Sequence, residues 1–181
     1  MTRFFLCSTV LILSILVSAQ SKPAAGENSL AHVRNSFVVV VGASYLDTAA
    51  LFGPSGERVW AGKEWDPQFL YPLPESDIEG AVFTVRHGSH KSVWVNSVRD
   101  LEAKHFQYVY FIPDALVTTI DVRFLPVNKG TTNVEVVYTR TALTPEANDH
   151  VLHLGESDRA SGPEWQQSID RYLQNRNPVA H

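Results

Sequence analysis

Thr132-Asn133-Val134-Glu135-Val136-Val137-Tyr138-Thr139-Arg140-Thr141-Ala142-Leu143-Thr144-Pro145-Glu146 is the stretch on which the fold turns. Thr132, Val134, Val136 and Tyr138 alternate with Asn133, Glu135, Val137 and Thr139, the pattern of a strand with one face against a core. Thr144-Pro145 then supplies an N-cap and a proline at the first helical position, which opens a helix through Glu146, Ala147, Val151, Leu152 and Leu154. Gly155 and Ser161-Gly162-Pro163 are expected to interrupt or kink it. Beyond them Trp165, Ile169, Tyr172 and Leu173 share one helical face, and that face must be covered.

Working back from this strand, Leu116 to Phe124, Lys104 to Ile112, Lys91 to Val98 and Ala81 to His87 read as further strands. The short turns His87-Gly88-Ser89-His90, Ile112-Pro113-Asp114-Ala115 and Val127-Asn128-Lys129-Gly130 join them into an antiparallel meander. Phe106, Tyr108, Tyr110 and Ile112 share one phase, and Thr118, Ile120, Val122 and Phe124 another; both sets should point to the same interior. Trp94 and Asn96 also share a phase, although the sequence does not say which way that strand faces. An irregular strand is expected near Gln68 to Leu73, in a region rich in proline and aromatic residues. Earlier still, Phe37 to Val41 is apolar on both phases, which predicts a strand inside a sheet and covered on both faces. Two short helices, Tyr45 to Phe52 and Ser55 to Ala61, follow it.

The ends and the composition bound the function. Arg3 precedes an apolar run from Phe4 to Val17, and Val17-Ser18-Ala19 closes it, so residues 1–19 read as a signal peptide cut after Ala19. Residues 20–35 read as a flexible linker, 36–176 as one domain and 177–181 as a disordered tail. The expected location is secreted or periplasmic. Cys7, the single cysteine of the 181 residues, leaves with the signal, so the mature chain makes no disulfide and no thiolate metal site. A net charge of -4, from 15 Lys and Arg against 19 Asp and Glu, gives no reason to approach nucleic acid. Nor is a membrane span expected once the signal is gone.

Several landmarks stand in a familiar order: Phe37 to Ser44 entering a short helix, Trp65-Asp66-Pro67, Gly80-Ala81-Val82-Phe83-Thr84, Gly130-Thr131-Thr132, and Tyr138 to Glu146 entering the last helix. From about Phe37 to Gln174 the chain resembles the START-related SRPBCC superfamily, the group of pollen-allergen-like and polyketide-cyclase-like proteins. That resemblance implies an α+β helix-grip fold, with a curved seven-stranded antiparallel sheet wrapped around a long C-terminal helix and two short helices after the first strand. It also implies a mostly apolar cavity between sheet and helix. Members of the group bind lipids, sterols, hormones or polyketides, and some cyclise or dehydrate them. The residues agree in part, because the sheet's apolar phase needs a cover and the last helix is the long amphipathic element available to it.

Ligand contacts are expected from Trp65, Phe69, Phe83, Trp94, Asn96, Tyr108, Tyr110, Ile120, Tyr138, Leu154 and Trp165. The tyrosines would bring hydroxyls into an apolar room and orient a guest. Arg140 continues the interior phase of its strand and there would take a ligand carboxylate; alternatively it lies past the buried part and pairs with an acid at the surface. His150 or His153 beside Tyr138 could move protons in a cyclase, dehydrase or aromatase-like reaction. Two histidines three apart could also share a metal, but no carboxylate stands at a zinc-motif spacing, so no metal is expected. No nucleophile elbow, phosphate loop or dinucleotide fingerprint occurs, and no cofactor is expected. Reversible binding of a small hydrophobic molecule is the function these features favour, with the enzyme and a ligand-free interaction module as alternatives.

Overall fold

A computed structural model describes residues 29–87 and 90–176. The expected signal peptide, the 177–181 tail, the start of the linker and the turn residues Gly88 and Ser89 lie outside the described residues. The strands are β1 (His32–Val41), β2 (Gln68–Tyr71), β3 (Val82–His87), β4 (His90–Asp100), β5 (His105–Ile112), β6 (Leu116–Asn128) and β7 (Thr131–Ala142). Helix α1 (Tyr45–Ala49) and a 3-10 turn (Gly56–Val59) follow β1, and α2 (Asn148–Arg176) closes the chain. The sheet order is β1-β7-β6-β5-β4-β3-β2, with every pairing antiparallel. This is the helix-grip arrangement, with α2 lying on β1 and β7.

Three expectations need correction. The linker assigned to 20–35 gives way at His32, where β1 begins opposite Thr141. Asn148 fixes the residues just before it, accepting from the Ala31 N–H at 2.7 Å and donating to the Ser29 carbonyl at 3.1 Å. The valine run is not interior either: β1 is an edge strand, and Val38 and Val40 are 54% and 48% exposed. β-branched residues suit extended backbone on a solvent face as well as a buried one, so the run reports strand and not depth. Finally, α2 runs unbroken through Gly155 and Pro163. Its glycines are there for contact: a Cβ at Gly155 would stand 3.0 Å from Val33, and one at Gly162 3.2 Å from Phe37. Pro163 removes one backbone hydrogen bond, and a helix so closely packed continues past it.

Register sorts the interior into layers. Phe69, Phe83, Trp94, Tyr110, Thr118 and Arg140 lie directly opposite one another on consecutive strands from β2 to β7. The next row toward the other end is Asn96, Tyr108, Ile120 and Tyr138, and the one after that holds Phe106, Val122, Val136 and Phe37. A bulge at Ser97 shifts β4 by one residue, so that Arg99 comes opposite Phe106. Above the rows, Val151, Gly155, Asp158, Gly162 and Ile169 form the buried stripe of α2 at helical spacing.

Beyond β1 the chain is set by caps. Ser44 accepts from the Asp47 N–H at 3.3 Å and donates to the Asp47 carboxylate at 2.6 Å, which starts α1 at Tyr45. Gly53, with φ +128°, then turns the chain; a Cβ there would lie 2.5 Å from the Asp77 carboxylate. That carboxylate accepts from the N–H groups of Ser55 and Gly56, aligning the 3-10 turn that carries Glu57 and leads to Trp60. One more side chain bears on the architecture. Gln166 of α2 accepts from the Val40 N–H and donates to the Val40 carbonyl, both at 2.7 Å.

Candidate functional site

A cavity of about 260 Å³ lies between the sheet, the 3-10 turn and α2. Its sheet wall is Trp94, Tyr108, Ile120, Val122 and Tyr138, and the 3-10 turn and the segment after it add Glu57, Trp60, Ala61, Glu64 and Trp65. Glu164, Trp165 and Ser168 close it from α2. All four tryptophans of the chain therefore meet here, from three separate parts of the sequence. They stand in two edge-to-face pairs, Trp60 with Trp165 at 5.0 Å and Trp65 with Trp94 at 5.3 Å. Three of their indole N–H groups are used outside the cavity: Trp60 donates to the Leu51 carbonyl, Trp65 to the Pro54 carbonyl and Trp94 to the Ser92 hydroxyl.

The far end is walled off. Trp94 stacks on Tyr110 at 4.2 Å, and Tyr110 bonds to the Arg140 guanidinium. Arg140 also meets Asp158 of α2 through two bonds of 2.7 Å and donates to Thr118 at 3.1 Å. Behind this wall is a second space of about 590 Å³, more open, bordered by His90, Tyr110, Ile112, Ala147, His150 and Leu154. One concave face thus holds two separate spaces.

Of the predicted ligand contacts, Trp65, Trp94, Tyr108, Ile120, Tyr138 and Trp165 line the first cavity. Phe69 and Phe83 stand behind it in the packed row, Phe83 stacked on Trp94 at 5.7 Å. Asn96 does face inward with Trp94 but is buried beside the cavity, its amide donating to the Ile78 carbonyl. Tyr110 and Arg140 build the dividing wall, and Leu154 belongs to the second space. Arg140 is thus neither a ligand's carboxylate partner nor a surface residue: it is 5% exposed, and its acid comes from α2. His150 and His153 are both exposed and neither adjoins Tyr138; the turn of α2 that carries them sits beyond the Arg140 wall. Among the described residues no three His, Cys, Asp or Glu side chains gather to hold a metal.

Glu57 is the residue the sequence hid. It sits in a polar run, Ser55-Gly56-Glu57-Arg58, yet is buried, with one carboxyl oxygen accepting from the Gly53 N–H at 3.2 Å. Burial pushes its carboxyl up to about 8; the Gly53 bond opposes the shift, Asp77 adds to it and Arg99 opposes it. The Tyr108 hydroxyl is buried with no partner among the described residues. Tyr108 and Tyr138 are both held above the ordinary tyrosine range, chiefly by burial and further by the nearby Glu57. For Arg140 burial opposes the charge, but the Asp158 hydrogen bonds and the Tyr110 contact outweigh it and hold the guanidinium above its usual value.

Because Glu57 has a higher pKa folded than unfolded, the folded state binds its proton more tightly. Its stabilising effect is complete below the ordinary value of 4.5 and is lost as pH rises through about 8. Glu57→Gln stays neutral and keeps an acceptor for Gly53. Thermal melts should show the variant matching the native chain near about pH 5 and exceeding it near about pH 9, by on the order of 3 kcal/mol. Parallel melting curves at every pH would show that this carboxyl is solvated.

No family model matches the chain, and no curated protein is matched either. Solved structures do match. Norcoclaurine synthase from Thalictrum flavum, in complex with dopamine and hydroxybenzaldehyde, aligns with a TM-score of 0.58 at 14% identity, covering 96% of this chain and 100% of that one. An uncharacterised protein from Rhizobium leguminosarum gives 0.55 at 14% identity, over 80% of this chain and 98% of that one. The Zhui aromatase/cyclase from a Streptomyces species gives 0.54 at 10% identity, over 83% and 99%. At such identities the likeness is one of fold, and the fold is the helix-grip fold expected from the sequence landmarks.

Proposed function

We propose that this helix-grip chain is an exported binding protein for a small hydrophobic molecule of one or two rings, held in the tryptophan-lined cavity. The observation that carries the reading is the convergence of all four tryptophans on one interior space, walled also by Tyr108 and Tyr138. The volume of about 260 Å³ stands just under the roughly 300 Å³ at which small-molecule pockets usually begin. It favours a compact aromatic guest over a sterol or a lipid. The norcoclaurine synthase structure, of the same fold, holds two single-ring compounds. Export rests on the sequence of residues 1–19; among the described residues no helix is long and apolar enough to cross a membrane.

A second reading, catalysis of the cyclase or dehydrase kind, now rests on Glu57 and not on the histidines. A buried carboxyl pushed up to about 8 beside Tyr108 is a proton donor and acceptor suited to neutral pH. Native mass spectrometry of the protein released by expressing the full chain tests the main reading. The expected species starts at Gln20 and carries one small molecule lost on activation. An uncharged bicyclic probe, 2-naphthol, should quench the tryptophan emission saturably. Retention of the first 19 residues inside the cell would end the export proposal. A bare polypeptide with linear, unsaturable quenching would end the binding one.

A further inference from the structure

The lining of the cavity is one-sided in charge. The chain has 15 Lys and Arg against 19 Asp and Glu, so an unselected surface would show both signs. The cavity shows three carboxyl groups, Glu57 inside and Glu64 and Glu164 at its exposed rim, and no Lys, Arg or His. Lys63 and Arg171 border an adjoining space, which shares Trp60, Trp65 and Ser168 with the cavity, and do not line the cavity itself. Arg140 is held by Asp158, and Arg99 donates to the Phe52 carbonyl while lying 4.2 Å over the Phe106 ring. Arg58 pairs with Glu75 at 2.7 Å. Inside, the second oxygen of Glu57 makes no hydrogen bond among the described residues.

The indoles of Trp60, Trp65 and Trp165 add a second attraction, whereas Trp94, stacked between Phe83 and Tyr110, has neither face to offer. Tryptophan has the aromatic face most attractive to a cation, and a positive head among several such faces gains from each without needing a hydrogen bond. A neutral guest would fill the same walls but leave the acidic side unused. An anion would meet Glu57, Glu64 and Glu164 with no compensating base.

We infer that the guest is a cation, an aromatic amine or quaternary ammonium compound whose charged head sits among the tryptophan faces with Glu57 as its counter-ion. This rests on the binding role proposed above and narrows it to one ligand class. Binding such a head favours the ionised form of Glu57, so affinity should rise with pH until the carboxyl is fully ionised. Asp77, Arg99, Tyr108 and Tyr138 also face this carboxyl, and the tyrosines stay protonated over that range.

The test uses three probes on the mature protein, read by tryptophan quenching and calorimetry: benzyltrimethylammonium, its uncharged carbon isostere neopentylbenzene, and phenylacetate. The first carries a charge that does not titrate, so any pH dependence belongs to the protein. It should bind about tenfold or more tightly than neopentylbenzene. That preference should widen from about pH 6 to about pH 9. Glu57→Gln should narrow the cation's preference over the neutral probe and remove its dependence on pH, and phenylacetate should bind most weakly of the three. Equal binding of neopentylbenzene and the cation at every pH would overturn the inference and leave the hydrophobic-binding role standing. Failure of all three to saturate would overturn both.

Discussion

Asp158→Ala lowers the unfolding free energy by about 3–5 kcal/mol in urea titration, the largest loss expected from any single charge change in the molecule. Desolvation sets the size of this loss. Arg140 and Asp158 are each 5% exposed, and their two 2.7 Å bonds are what make a guanidinium tolerable at that depth. Thr118 and Tyr110 take its remaining donor, and the rings of Tyr138 and Tyr110 lie 4.7 and 5.7 Å from its centre. Alanine removes the anion and leaves the cation with no route to water. Arg140→Met with Asp158→Leu should recover most of the loss, because it removes both desolvation costs together. A single variant that costs under about 1 kcal/mol would mean that water reaches the pair.

Phe52→Ala is expected to cost about 3–5 kcal/mol and, in addition, to disturb the guest site. Phe52 is fully buried, with its ring 5.4 Å from Phe124, 5.9 Å from Trp60 and 6.4 Å from Trp165. It is the floor on which two cavity tryptophans rest. Truncation leaves a void that they can tilt into, so melting should fall and tryptophan emission should shift together. A drop in stability with unchanged emission and unchanged probe affinity would show that the tryptophans are held without it.

The sheet was legible because its signal is local. Strand alternation in β5, β6 and β7 put Tyr108, Ile120 and Tyr138 on one face, and the register then brought them into one row. Edge against interior was not legible in Phe37 to Val41, since a valine run specifies extended backbone and says nothing about neighbours. The site was half legible. Aromatic residues announce themselves by bulk, whereas Glu57 is buried by a turn that Asp77 organises from 20 residues later, a relation no local pattern carries. Asp158 could have been found: it stands seven residues after Val151, on the buried stripe of α2, and an acid there is what the inward Arg140 requires. His150 and His153 lie off the buried stripe of α2, and a spacing of three is the same on a solvent face as on an inner one.

Gln166 has a bearing on behaviour in concentrated solution. Open sheets can polymerise by adding strands from other copies, and an outer strand as apolar as β1 is a natural place to begin. By presenting a side-chain amide in the position of a neighbouring peptide, Gln166 occupies both hydrogen-bonding groups of Val40, so an incoming strand finds that rung taken. The opposite margin, β2, is four residues long and runs into Pro72 and Pro74, which offer no N–H. A chain guarded on both flanks can be kept as single molecules even where it accumulates.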